Sequence, residues 1–228
     1  MMVPLQVTAT LRTPIALKAP IALDGLLGAA ICTRDGIPPA LNEHQIVPLP
    51  IPLAKSPCGR LYLASVSQAS EPMFRHRRWV NKRFPVAEAQ WIGAPSVRRI
   101  LISGGPCKSY RLPLETQAVR ELRWWCIGDE AEVRSLLTEE IGYLGAHRGR
   151  GLGAVRRTDA EGSAAGWAVE RCEPWGDGFP VVRDGEPTRP LPPEWPGLAP
   201  EVETAYRVLF PPFWRRSREE LCAVPRWT

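Results

Sequence analysis

Apolar and polar residues alternate near the start of the chain, with Val3, Leu5, Val7 and Ala9 on one side. That is the period of a half-buried strand. From Leu23 the spacing changes, and Leu23, Leu26, Leu27 and Ala30 mark one face of a helix, with Asp24 in its first turn and Gly36 past its end. Residues 37–57 are punctuated by proline and read as a loop with a short extended piece near Ile46–Leu49. Alternation returns over Cys58–Gln68, where Leu61, Leu63 and Ser65 oppose Tyr62, Ala64 and Val66, and predicts a second strand. Phe74–Pro85 is a basic and aromatic segment. Arg98–Gly128 reads as two extended stretches with turn chemistry at Gly104–Pro106. The strongest helical pattern runs from Asp129 to Leu144, with Val133, Leu136, Leu137, Ile141 and Leu144 in register. Asp129 is suited to its N-cap and Glu132 completes a capping box. Short strands are expected at Ala154–Arg157 and Trp167–Glu173, and proline and glycine dominate from Pro174 to Pro212.

The resulting order is strand, helix, strand, strand, helix, strand. It predicts an α+β fold with a ferredoxin-like (RRM-like) antiparallel sheet and both helices on one face. Residues 1–173 would form this core, with a basic insertion at about 70–92. Residues 174–228 would form a proline-rich extension packed on it. Trp195, Phe210, Phe213 and Trp214 supply the apolar area for that packing.

Composition refines this picture in three ways. The 25 prolines among 228 residues are about twice the usual share and demand many irregular connections. The net charge of +5 permits an anionic partner without requiring one. Only four of the 29 basic residues are lysines, Lys18, Lys55, Lys82 and Lys108. Arginine grips phosphate and stacks on bases, although GC-rich codon usage would produce the same excess. Six cysteines lie too far apart for zinc-knuckle spacing and read as reduced, mostly buried residues. The apolar stretch Pro14–Cys32 is interrupted by Lys18 and Asp24, so no membrane span is expected. With no signal peptide expected, the cytoplasm is the default location.

Clustering of the basic residues carries more than their number. "GYLGAHRGRGLGAVRR", from Gly142 to Arg157, holds five glycines and four arginines. It lacks GxxxxGK[ST], so it is no phosphate-binding P-loop. Gly149, Gly151 and Ala154 match G-x-G-x-x-A, but a dinucleotide site needs a strand before the motif and a helix after it. Here the helix comes first. Contact with an RNA backbone remains: Gly145, Gly149, Gly151 and Gly153 for close approach, and Arg148, Arg150, Arg156 and Arg157 for charge, with His147 as a polar contact. The competing reading is a basic exposed turn. Arg75, His76, Arg77, Arg78, Trp79, Lys82 and Arg83 interleave charge with aromatics, as suits single-stranded RNA, and compete with a solvated helix face carrying Trp79 into the core. Lys108, Tyr110 and Arg111 form a third cluster, or the ordinary surface of an edge strand. His44, His76 and His147 show no HxxxH or HxE spacing, so neither a metal site nor a catalytic pair is expected, and no cofactor motif survives.

"HRGRGLGAV" after a second helix resembles the glycine-rich loop of the RAMP superfamily of CRISPR proteins. "ATLRTPIAL", "LDGLLGAA", "KSYRLPL" and "FPPFW" are similar to one branch, the Cas-five-like subunit of type IV CRISPR effector complexes. The ordered set spans residues 5 to 214. This resemblance implies a noncatalytic subunit that holds the 5′ handle of a guide RNA and caps a filament of Cas-seven-like backbone subunits. A large subunit is a further implied partner, and target DNA, often a plasmid, is reached through the complex. An inserted thumb, here Pro72–Gln90, would wrap the RNA, and the glycine loop would contact its backbone.

Two other functions fit parts of the sequence. One is a metal-independent endoribonuclease trimming guide precursors, with His147 and Tyr143 or nearby arginines as acid and base. A second convincing acid–base partner is missing. The other is a scaffold with no RNA contact of its own.

Overall fold

The computed structural model describes residues 1–17, 19–38, 47–70, 72–83, 108–156, 166–209, 211, 213 and 216–226. β1 (Met2–Thr10) lies inside a four-stranded sheet, and its alternation is realised as Leu5, Val7 and Ala9 pointing into the core. It pairs antiparallel with β5 (Glu121–Asp129), from Met2 opposite Asp129 to Thr10 opposite Glu121. On its other side lies β6 (Trp167–Arg171), also antiparallel. β2 (Gln68–Ala69) pairs with the far edge of β5, so the order across the sheet is β2-β5-β1-β6.

α1 (Leu23–Arg34) and α2 (Glu130–Glu140) cover one face of this sheet. Leu23, Leu27 and Ile31 of the first helix and Val133, Leu136 and Leu137 of the second share one apolar core with Leu5, Val7, Leu122 and Trp124. The Asp129 carboxylate accepts from the Glu132 amide at 3.3 Å, so the expected N-cap forms. The reciprocal half of the capping box does not, because Glu132 turns instead to the Arg34 guanidinium at 2.8 Å and ties the helices together. α2 stops at Glu140, short of the expected Leu144. Beyond it the chain turns extended, and the Leu144 amide donates to the Gly153 carbonyl.

The alternating stretch Cys58–Gln68 is extended but mostly outside regular pairing. Single bridges join Lys55 to Tyr62, Ala64 to Cys126 and Val66 to Ala22. The Ser65 hydroxyl accepts from the Trp125 amide at 2.9 Å, a side chain standing in for a ladder carbonyl. Around Ala154 the expected strand is likewise reduced to bridges, Leu11 to Val155 and Tyr143 to Ala154. Residues 84–107, including the expected Gly104–Pro106 turn and the far part of the expected thumb, fall outside the described residues.

The segment after Glu173 is irregular, as its prolines require, with two short hairpins. β7 (Val182–Arg183) pairs with β8 (Glu186–Pro187), and β9 (Thr204–Val208) pairs with β10 (Glu219–Ala223). Leu61, Val181, Val182 and Leu191 form a second apolar cluster, against which Trp195 packs. Phe213 lies over α1 so closely that a Cβ on Gly25 would come within 2.8 Å of its ring, whereas Phe210 and Trp214 lie outside the described residues. Arg189 is 2% exposed and meets the fully buried Asp24 of α1 at 3.2 Å. The same guanidinium donates to the carbonyls of Tyr62, Ala64 and Leu209. This buried pair fastens the C-terminal segment to the first helix.

The five described cysteines are all free thiols. Burial pushes the Cys126 thiol up, and that of Cys222 up to about 11. Cys58 is exposed, and the Ser56 hydroxyl beside it lowers its pKa. Among the described residues no helix is long and apolar enough to cross a membrane.

Candidate nucleic-acid interface

Of the basic, aromatic stretch Phe74–Pro85, residues Phe74–Lys82 form a strand. β3 (Phe74–Lys82) pairs antiparallel with β4 (Tyr110–Ala118) along its whole length, and the two form a ribbon separate from the main sheet. Its residues carry no clear strand period because the ribbon is exposed over most of both faces, with Val80 and Thr116 its buried positions among the described residues. The excursion from the core therefore runs through Ala118, beyond the span expected from the basic cluster alone.

Because β-strand side chains alternate between faces, the pairing sorts the candidate residues into two sets. Arg75, Arg77 and Trp79 share a face with Arg111, Pro113, Glu115 and Gln117. His76, Arg78 and Lys82 share the opposite face with Tyr110, Leu112 and Leu114, and Phe74 and Leu112 stand exposed there. On the first face the Arg111 guanidinium lies 4.4 Å from the centroid of Trp79, a cation–π pair. Trp79 remains 50% exposed, so it is no core residue. Arg77 meets Glu115 at 2.7 Å, a solvent-screened pair that an incoming phosphate can replace. Arg83 and Lys108 flank the distal end of the ribbon, and both are exposed.

The glycine loop begins after Leu144 and contains one 3-10 turn, Arg148–Arg150. Its glycines divide by function. A Cβ on Gly153 would stand 1.8 Å from the Leu144 carbonyl oxygen, and one on Gly145 would stand 2.7 Å from that of Ala16. Close packing of backbone on backbone accounts for glycine at both positions. Gly149 and Gly151 instead face open space, with nothing within 4 Å of an added Cβ. Gly151 has φ +77 and His147 has φ +59, so the chain bends sharply on either side of the two exposed arginines, Arg148 and Arg150. The amides of Arg150, Gly151 and Gly153 are spent within the protein, on His147, Arg148 and Pro14. The imidazole of His147 bonds to no side chain among the described residues. Arg156 closes the loop, its amide donating to Thr10 at 2.8 Å.

A junction that the sequence pattern does not announce brings loop and ribbon together. Residues 11–17 run on from β1 between them. On one side Ile15 exchanges both backbone hydrogen bonds with Gln117 of β4, each at 2.8 Å. On the other, the Arg12 amide donates to Ala154 at 2.8 Å, Pro14 accepts from Gly153 at 2.9 Å and Ala16 accepts from Ala146 at 2.9 Å. The Thr13 hydroxyl accepts from the Ala154 amide at 2.9 Å. Two basic clusters far apart in sequence are thus held on opposite sides of one short segment. Arg12, exposed within that segment, is a candidate contact that sequence reading missed. Its signal is position alone, since a lone arginine after a strand has no motif.

Among the described residues no three His, Cys, Asp or Glu side chains converge to hold a metal ion. The features therefore define a mixed α/β protein with antiparallel sheets that carries two groups of exposed arginines on a ribbon and an adjoining loop. The family model for the CRISPR type IV associated protein Csf3 matches residues 66–225. The chain belongs to this family, the Cas5-like subunits of type IV systems, and is a subunit of a type IV CRISPR complex alongside other CRISPR proteins. No curated protein matches it. The matched span takes in ribbon, loop and C-terminal hairpins, and leaves β1 and α1 outside.

Proposed function

We propose that this subunit binds the 5′ handle of a guide RNA, caps one end of the filament of Cas-seven-like subunits, and supports RNA-guided DNA targeting without cutting nucleic acid itself. The observation that carries the reading is the junction at residues 11–17, which ties the basic ribbon to one side of a short segment and the glycine loop to the other. A single strand crossing both would meet arginines for its phosphates and Trp79 for a base. The sheet order β2-β5-β1-β6, with both helices on one face, agrees with a ferredoxin-like core and so with a place in the RAMP superfamily. Guide RNA, backbone subunits and a large subunit are the partners in this reading, and DNA is reached through the complex.

Purification with its genomic neighbours, followed by sequencing of the bound RNA, tests the class of ligand. A homogeneous set of guide RNAs is expected, and its absence would count against handle binding. Replacing Arg75, Arg77 and Arg78 with alanine should weaken RNA binding and flatten its salt dependence, by about 0.7 of a log–log slope unit for each phosphate that the ribbon no longer neutralises. An unchanged slope would remove the ribbon from the interface. The isolated protein should leave repeat RNA intact, and His147→Ala should leave guide processing unchanged. Specific cleavage that disappears in that variant would favour the nuclease instead.

A further inference from the structure

Beside the glycine loop, the end of α2 opens into a groove of about 540 Å³ lined by Glu140, Tyr143, Arg148, Gly149 and Gly151. That volume lies in the range of ordinary small-ligand sites. Its members differ in chemistry and converge without bonding to each other. Tyr143 is 46% exposed, although its neighbours Ile141 and Leu144 are buried. Its backbone is clamped, because the Leu144 amide donates to Gly153 at 2.8 Å and the Val155 amide donates to Gly142 at 3.0 Å. A large aromatic side chain is therefore presented to solvent on a fixed backbone. The side chains of Glu140, Tyr143 and Arg148 have no partner among the described residues. Gly149 and Gly151 leave the rim bare, with nothing within 4 Å of an added Cβ.

We propose that this groove is a nucleotide-binding site that selects a base with paired N–H donors on its Watson–Crick edge, guanine above all. The inference rests on the RNA-binding reading and gives it a base-specific point. A carboxylate in the groove repels a bare phosphate, while an arginine beside it attracts one. A nucleotide satisfies both: its phosphate turns to Arg148 and its base edge to Glu140. Guanine offers two adjacent donors, at N1 and N2, which one carboxylate can accept together. Uracil offers only one. Tyr143 supplies the stacking surface, the usual means of holding an unpaired base.

The test uses the full-length protein and fluorescent single-stranded RNA octamers, all uridine except for one central G, A, C or U. The guanine probe is expected to bind about tenfold tighter than all-uridine, the scale of a good two-point base contact. Tyr143→Ala should lose about tenfold on the guanine probe, and Tyr143→Phe should retain its affinity. Glu140→Gln keeps the shape but replaces one of the two acceptor oxygens with an NH2 donor, so it cannot pair with both guanine donors side by side and should abolish the guanine preference while all-uridine binding holds or improves. A matching deoxyoctamer separates RNA from DNA as the source of the base. If the wild type binds every octamer equally and Tyr143→Ala and Glu140→Gln bind like it, the base site is refuted while RNA binding by ribbon and loop stands. If the wild type binds no octamer, both readings fall. Circular dichroism on each variant confirms that α2 remains folded.

Discussion

A Cβ at Gly153 would collide with a backbone oxygen, whereas one at Gly151 would meet nothing, and nothing in the letters GRGLG distinguishes the two. Both have positive φ, so each costs strain when substituted. Gly151→Ala should lower stability by about 1 kcal/mol through φ alone. Gly153→Ala must also displace Leu144 and should cost more than about 2 kcal/mol; urea unfolding of the two variants measures the difference. Equal costs would mean that the backbone contact yields freely. The thiols offer a second comparison. Hydrogen bonding from Ser56 lowers the Cys58 pKa, so at neutral pH it carries more thiolate than a thiol raised by burial. Iodoacetamide should label Cys58 before Cys126, Cys172 and Cys222, as followed by peptide mass spectrometry, and Ser56→Ala should slow that labelling. The sequence showed six spaced cysteines but not which one lies beside a hydroxyl.

At the level of elements, legibility follows one-sided burial. β1 and α2 each pack one face on the core, so their periods of 2 and 3.6 are written in apolar residues and both are readable. The ribbon buries little beyond Val80 and Thr116 and its strands lie far apart in sequence, so composition displayed its mixture of charge and aromatic rings while hiding its pairing. Pairing puts Trp79 and Arg111 together, and that contact makes a prediction. Trp79→Ala should weaken single-stranded RNA binding by about tenfold, the scale of one stacked base. Arg111→Ala should weaken it too. The double variant should lose less than the product of the single losses, since the two groups form one platform. Fluorescence anisotropy on the four proteins closes the cycle, and full additivity would mean that they act separately.

For the whole molecule, the order of elements in the sequence anticipated the main sheet and its helices. It did not anticipate the fastening of the C-terminal segment, because Asp24 and Arg189 are 165 residues apart and neither sits in a recognisable pattern. Asp24 read as a first-turn helix residue, and it is one; its pairing, as the buried acceptor for an arginine that also donates to three carbonyls, is what the pattern hides. Removing one member strands the other's charge, so Asp24→Leu or Arg189→Met alone should cost about 3–5 kcal/mol. The double substitution should recover part of that loss, because no ion is then left in the core although the carbonyls of Tyr62, Ala64 and Leu209 lose the Arg189 donor. Thermal unfolding of the three variants distinguishes this from simple loss of packing, in which the double variant would be the least stable.

The short segment 11–17 also bears on how the protein is made. β1 leaves the ribosome more than a hundred residues ahead of β5 and β6, the strands that enclose it. Its continuation must wait for Gln117 on one side and for Gly153 and Ala154 on the other. Pairings this distant close slowly and late. The ribbon can take its place once Gln117 has been made, but the loop is fixed beside it only after Gly153 and Ala154 follow, so segment 11–17 completes its two attachments in sequence, ribbon first and loop last.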